Sequence, residues 1–223
     1  MKSTDFISEA PLPDNWDTQV FKPGNAIKKQ VEYVLANSQK LGTGSSRVVT
    51  NIMYQGRQTA LKIAKNKKGL AQNAAELEIV SDGYAKSMGI VIPIIDWDKD
   101  NNPPRWLQFE IAAKATEKQL CSMMKCAHLS DLIMAAEIMI GKIRDTTGMN
   151  SARIKERSNN AGFTDADEDT FYKYANDLAS LADSYEIELC DFNNPKNWGI
   201  YNGKPVVIDI GFTSGVASSH YSR

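Results

Sequence analysis

The chain is 223 residues long, with 42% hydrophobic and 24% charged residues. This composition excludes a collagen-like, coiled-coil or wholly disordered chain and leaves enough apolar side chains for a core, in one generous domain or two small lobes. Lys plus Arg number 26 against 27 Asp plus Glu, a net charge of -1 that makes no case for nucleic acid or an anionic membrane as partner. The densest basic run, Lys62, Lys65, Lys67 and Lys68, reads at its end as a solvated loop. Cys121, Cys126 and Cys190 lack CxxC spacing. With only His128 and His220 beside them, they suit structural packing in a reducing compartment better than zinc. The opening MKSTDFISEAPLPDNW carries no apolar signal segment and no apolar run reaches 18 residues, so a cytoplasmic protein is expected.

Proline punctuates the start at Pro11, Pro13 and Pro23, which reads as a peripheral arm leading into a helix at 25–38. Residues 46–54 carry the β-branched series Val48, Val49, Thr50 and Ile52, and 58–64 supplies a second strand after the turn at Gln55-Gly56. Residues 70–88 read as one helix, with Leu70, Ala74, Leu77 and Val80 as its apolar stripe. Strands are expected within 89–95 and at 105–111, separated by a loop at 96–104. The first half is therefore β-β-α-β-β with mainly antiparallel strands.

From Thr116 the pattern turns helical. Residues 129–146 are rich in Leu, Ile, Met and Ala, and 165–185 follow an acidic, helix-starting run at Asp165, Asp167, Glu168 and Asp169. Met123, Met124, Met134 and Met139 sit at core spacing. The polar stretch 150–162 reads as a loop or a frayed helix end. Two short strands at 198–201 and 205–210 follow, joined by Asn202-Gly203, a strong hairpin signal.

Four places carry candidate chemistry. In Leu41-Gly42-Thr43-Gly44-Ser45-Ser46-Arg47, glycines allow close backbone approach to an anion and expose N–H donors to phosphate oxygens. No Gly-Lys-Ser/Thr follows, which excludes a Walker A loop, and a hairpin rather than a helix follows, which argues against a Rossmann fingerprint. Lys62, in Thr59-Ala60-Leu61-Lys62-Ile63-Ala64, is an ammonium in an apolar strand, which is costly unless it is paired or points to water from an edge. Glu76 is a partner on the next helix. Glu78 is its rival, about 200° around the helix, so one of the two faces the strand. In Leu189-Cys190-Asp191-Phe192-Asn193-Asn194-Pro195-Lys196-Asn197-Trp198-Gly199, Asp191 follows a helix and Asn197 precedes a strand. Last, Asp209 ends the apolar run Val206-Val207-Ile208 before Ile210-Gly211, which suits a magnesium-binding carboxylate at a cleft edge. Each of these is also what a turn or a strand end looks like.

Their order, however, resembles the protein-kinase-like superfamily: glycine loop, strand lysine, helix glutamate, Asp/Asn loop, short hairpin, Asp-x-Gly. The resemblance covers residues 41–211 and implies an α+β, two-lobed fold, with an antiparallel β N-lobe and a reduced helical C-lobe. The implied division is an arm and helix at 1–38, an N-lobe at 39–112 and a C-lobe at 113–223. It also implies that Gly42, Gly44 and Ser45 cradle the phosphates of ATP while Lys62, anchored by Glu76, contacts them. Glu110 and Ala112, in Leu107-Gln108-Phe109-Glu110-Ile111-Ala112, would be hinge positions whose backbone receives adenine. Asp191 would orient or deprotonate an acceptor hydroxyl on a protein or small molecule, and Asn197 and Asp209 would hold Mg²⁺.

The chain departs from the family pattern. Leu189-Cys190 replaces the His-Arg before the catalytic aspartate, Asn197 stands six residues after Asp191 rather than five, and Ile210 replaces the usual Phe. With 12 residues after Gly211, no activation segment or Ala-Pro-Glu motif is expected. Asn197-Trp198-Gly199 and Ile208-Asp209-Ile210-Gly211 look more like small-molecule phosphotransferases or the short kinase-like domains of bacteriophages, which would act in the host cytoplasm. The expected activity is Mg-ATP-dependent phosphoryl transfer. The alternatives are a pseudokinase that regulates a partner, and an unrelated α+β protein in which Lys62 and Asp209 lie far apart.

Overall fold

The computed structural model describes residues 12–220; the opening of the proline-punctuated arm, through Pro11, lies outside the described residues. The chain is α+β, with an antiparallel sheet in its N-terminal region and a mostly helical C-terminal region. It forms two compact units. One takes in the described residues up to Asn73 together with Ile94–Glu110; the other takes in Ala74–Pro93 and the described residues from Ile111 onward. Among the described residues no helix is long and apolar enough to cross a membrane.

In the first unit, helix α1 (Ile27–Asn37) precedes strands β1 (Gln39–Thr43), β2 (Arg47–Tyr54) and β3 (Arg57–Ala64), and the chain then enters helix α2 (Lys67–Ser81). Strands β4 (Ile94–Trp97) and β5 (Trp106–Phe109) complete a five-stranded, wholly antiparallel sheet in the order β1-β2-β3-β5-β4. The sequence pattern showed β2, β3 and β5, and of β4 only Ile94 and Ile95, since β4 runs on through Asp96 and Trp97 of the expected loop. It missed β1, which is polar, has its two half-buried residues adjacent at Leu41 and Gly42, and carries a register shift between Lys40 and Gly42. The arm is part of the core: Leu12, Trp16, Val20, Phe21 and Val34 pack against Val48, Ile52, Leu61, Ile63 and Trp106 of the sheet. Trp16 stacks on Phe21 at 6.0 Å, and the Tyr33 ring meets both edge-on. The loop before β5 is built around buried Asp98, whose carboxylate accepts from Asn101 Nδ2 and from the Arg105 N–H. Burial nevertheless pushes that carboxyl above the usual aspartate range.

The helix expected at 70–88 is two helices. Asp82 interrupts it in an extended conformation and caps α3 (Gly83–Met88) by accepting the Tyr84 N–H at 2.9 Å. Tyr185 also donates its hydroxyl to Asp82 at 2.6 Å. That bond, more than the Tyr84 N–H, holds the Asp82 carboxyl low, while burial first and Asp82 second push the phenol up to about 12. The apolar run 89–95 also divides. Ile90 and Ile92 bond through their backbones to Val207, whereas residues from Ile94 on join β5.

The rest of the second unit comprises β6 (Ala113–Lys114), α4 (Glu117–Met124), α5 (Leu129–Met139), α6 (Met149–Asn160), α7 (Asp165–Tyr185), β7 (Trp198–Tyr201), β8 (Lys204–Val207) and α8 (Ser214–His220). Helix α7 has the bounds expected from its pattern, sealed at the start by a capping box of Thr164 and Asp167. Asn202 and Gly203 have φ of 49° and 73°, the paired positive values of the tight hairpin turn that Asn-Gly announces. Of the four methionines, Met124 is core, Met123 and Met134 are half-buried and Met139 is exposed.

Residues 150–160 belong to helix α6, where a loop or a frayed helix end is expected over 150–162. Only Ile154 of α6 is buried, so no apolar period marks it. Charge holds it instead: Lys155 pairs with Asp165 and Glu168, and Arg157 with buried Asp131. Asp145 accepts the Asn150 and Ser151 N–H groups and the Ser151 hydroxyl. These bonds, the hydroxyl foremost, keep its carboxyl below the ordinary range. The cap is therefore fully present above the unfolded aspartate pKa of about 3.9 and is lost as pH falls through the lower folded value. Acidifying from about pH 6 to about pH 3 should weaken amide-exchange protection in α6. Asp145→Ala should show that weakness already at the higher pH; equal protection there would remove Asp145 as the cap.

Candidate functional site

In the first unit, the β1–β2 turn is tied down from one side. The Gly44 N–H bonds the Arg47 carbonyl at 2.9 Å, Lys65 Nζ donates to the Gly44 carbonyl at 2.6 Å, and Asn66 Nδ2 donates to the Ser45 carbonyl at 3.1 Å. A trans peptide sets each N–H opposite its preceding carbonyl, so the Ser45 and Ser46 N–H groups point away from Lys65 and Asn66. A Cβ on Gly42 would meet nothing within 4 Å.

Lys62 lies on β3, the middle strand of the sheet, between Val49 on β2 and Leu107 on β5. That excludes the edge-strand reading. It is 5% exposed, and its ammonium stands 4.6 Å from the centroid of the Phe109 ring. Strand alternation puts Ala60, Lys62 and Ala64 on one face, leaving room around the charge. Because Arg47 pairs with Ala64 and Val49 with Lys62, Arg47 shares that face. Sequence reasoning marks Arg47 only as standing in place of a third loop glycine; it is a buried arginine whose Nη1 donates to Asn73 Oδ1 at 3.4 Å. Its signal was there: a cation in phase with Lys62 across the hairpin. At the end of β5, the Glu110 carboxylate is paired with Arg57 at 2.6 Å, so its part in any hinge is left to its backbone.

In the second unit, Glu76 is 0% exposed while Glu78 is exposed, so the rivalry on α2 resolves to Glu76 as the inward acid. Its Oε1 accepts the Ile210 N–H at 3.4 Å. Two residues earlier, the Ile208 N–H donates to the Asn197 carbonyl at 2.8 Å, and Asn197 Nδ2 donates to the Asp191 carbonyl at 2.9 Å. Asp191 sits in a 3-10 turn (Leu189–Asn193), fixed from below by Trp198, whose Nε1 donates to the Phe192 carbonyl at 2.9 Å. Glu76 thus bonds one neighbour of Asp209 from 134 positions away in sequence, and Asn197 bonds the other neighbour and the Asp191 carbonyl. Between Asp191 and Asn197 the chain makes a second 3-10 turn (Pro195–Asn197), started by Asn194, whose side chain accepts the Lys196 N–H. Gly199 accommodates Ala112: a Cβ there would lie 2.6 Å from the Ala112 Cβ.

The donor chemistry suits a hard cation. The bond from Asn197 Nδ2 sets the amide so that Oδ1 is the end able to bind one. Asp209 supplies a half-buried carboxylate one residue past Ile208, whose N–H bonds the Asn197 carbonyl. One carboxylate and one amide oxygen, with phosphate oxygens and water completing the shell, is an ordinary magnesium set. Among the described residues, no three His, Cys, Asp or Glu side chains gather as a metal cage. A groove of about 360 Å³, counting its open mouth, is lined by Lys125, Lys155, Phe163, Asp167 and Phe171 and contains none of the candidate residues.

No family model matches the chain, and no curated protein matches it in sequence. Among solved structures, the crystal structure of the kinase domain PF14_0431 is similar at 14% identity, over 46% of this chain and 31% of that one, with a TM-score of 0.29. The match thus spans about a third of that kinase domain, and at this TM-score it adds nothing to the fold described above.

Proposed function

We propose that the chain is an atypical, Mg-ATP-dependent phosphotransferase acting on a hydroxyl of a protein or small molecule in the cytoplasm. One observation above all supports the reading: the Ile210 N–H, next to Asp209, donates to the buried Glu76 carboxylate, while the hairpin and turn bonds of Asn197 set Asp191 beside the same segment. A turn or a strand end alone would not need the link to Glu76.

On this reading residues 39–112 serve as N-lobe and 113–223 as C-lobe, although Ala74–Pro93 groups with the second unit. Phosphoryl transfer is mostly positioning and charge neutralisation. The turn at Gly42, Gly44 and Ser45 offers backbone N–H donors to phosphate oxygens. Lys62 neutralises the α- and β-phosphates and is held by Glu76, while the backbone at Glu110 and Ala112 receives adenine. Asp191 orients the acceptor hydroxyl and takes its proton. Asn197 Oδ1 and the Asp209 carboxylate would hold magnesium, which would supply positive charge to offset that of the phosphates.

Thermal-shift titration with ATP, with and without Mg²⁺, tests the proposal. A ligand of the native state at 100-fold excess over Kd stabilises by about 2.7 kcal/mol. Wild type should show a shift that grows with Mg²⁺, and Asp209→Asn should lose the Mg²⁺-dependent part. No shift, or one indifferent to both Mg²⁺ and Asp209→Asn, would move the reading to a non-catalytic interaction protein. That rival draws on the longer Asp191–Asn197 spacing.

A further inference from the structure

Helix α4 ends in a left-handed residue, Lys125 at φ 59°, and the Cys126 N–H closes back onto the Cys121 carbonyl at 3.0 Å. This is the six-residue closure of a Schellman turn. Its two ends are the positions whose side chains that motif brings into contact, usually as an apolar pair. Here both are cysteines. The closure also bounds their separation: with the donor nitrogen one bond from one Cα and the acceptor oxygen two bonds from the other, the Cα atoms lie within about 7 Å, the range a disulfide can bridge.

We propose that Cys121 and Cys126 are a redox modification site that closes reversibly into an intrachain disulfide under a peroxide. The proposal is independent of the phosphotransferase reading. Cys126 donates its S–H to the Cys121 sulfur, which holds the Cys121 thiol below its usual range and raises that of Cys126. The Leu129 N–H, at the start of α5, also donates to Cys121, while burial and the acids Glu117 and Asp131 oppose. Both sulfurs are buried, Cys121 at 6% exposed and Cys126 at 1%. Cys121, whose thiol is the one held low, is the attacking sulfur. Its thiolate displaces hydroxide from hydrogen peroxide to give a sulfenic acid. The Cys126 thiol then attacks that sulfur, and the expelled hydroxide leaves as water with the thiol proton; two thiols lose two electrons to one peroxide. Cys190 is an internal control: it is exposed, yet partial burial and the acids Glu188, Asp191 and Glu137 raise its thiol.

The test uses the full chain, reduced, exposed to hydrogen peroxide at neutral pH, alkylated and digested with trypsin, which cuts after Lys125 between the two cysteines. The expected product is peptide 119–125 joined to peptide 126–142, released by dithiothreitol, with Cys190 still open to alkylation. Cys121→Ser and Cys126→Ser should each reduce the linked species at least about tenfold while keeping the wild-type circular dichroism. Should either variant unfold, the linked peptide in wild type decides alone, since it needs no substitution. Cys121 recovered as sulfinic acid beside an alkylated Cys126, or modification confined to Cys190, would overturn the proposal.

Discussion

Trp198→Ala is expected to lower the stability of the second unit by about 3–5 kcal/mol, the usual cost of emptying a large aromatic site. Trp198 is 1% exposed and opens β7, where it pairs with Val207, and its ring meets Phe192 edge-on at 6.0 Å. The substitution leaves a cavity and also strands the Phe192 carbonyl, which accepts from the indole N–H at 2.9 Å. Trp198→Phe keeps most of the ring but not the donor, so it should cost about 1–2 kcal/mol. Urea unfolding gives both figures, with the slope against denaturant unchanged if the native and unfolded states keep their compactness. Amide exchange in residues 189–197 should rise in step, because the same indole secures the turn that carries Asp191. A loss below about 1 kcal/mol would mean the hairpin contributes little to the fold.

If the chain is the phosphotransferase proposed above, Lys62→Met is expected to reduce its ATP turnover by about 10²–10³-fold, the usual effect of removing one preorganised group that stabilises developing charge. The side chain is buried on the middle strand, so a fall in turnover could also come from a damaged sheet. Lys62→Arg separates the two causes. It keeps a positive charge in the sheet, but a planar fork does not replace a compact ammonium beside the Phe109 ring. The arginine variant should therefore recover most of the wild-type melting temperature and little of the rate. Turnover within threefold of wild type in Lys62→Met would sink the role given to this lysine.

What could be read from the letters depended on whether burial and apolar character coincide. In α7 they do, and that helix follows from its acidic first turn and its apolar period. In α6 they do not: one buried residue in twelve leaves nothing periodic to see, and ion pairs take over. Helix α2 misleads in a different way. Of its apolar stripe, Leu70, Ala74, Leu77 and Val80, only Val80 is buried, while Asn73 and Glu76 are buried completely and Gln72 nearly so. Gln72 accepts the Ser46 hydroxyl, and Asn73 donates to the Pro104 and Arg105 carbonyls. Buried polar side chains with partners are what a site or its support requires, and hydropathy alone points away from them. β6, at two residues, and α8 are too short to leave a pattern.

The packing of Leu12, Trp16, Val20, Phe21 and Val34 onto the sheet bears on how this protein can be trimmed. A shortened version starting at residue 39, where the motifs begin, would strip the cover from Leu61, Ile63 and Trp106 and leave an oily sheet face open to water. Chains with such a face associate with one another. Any minimal version meant for crystals or assays must keep the segment from Leu12 onward.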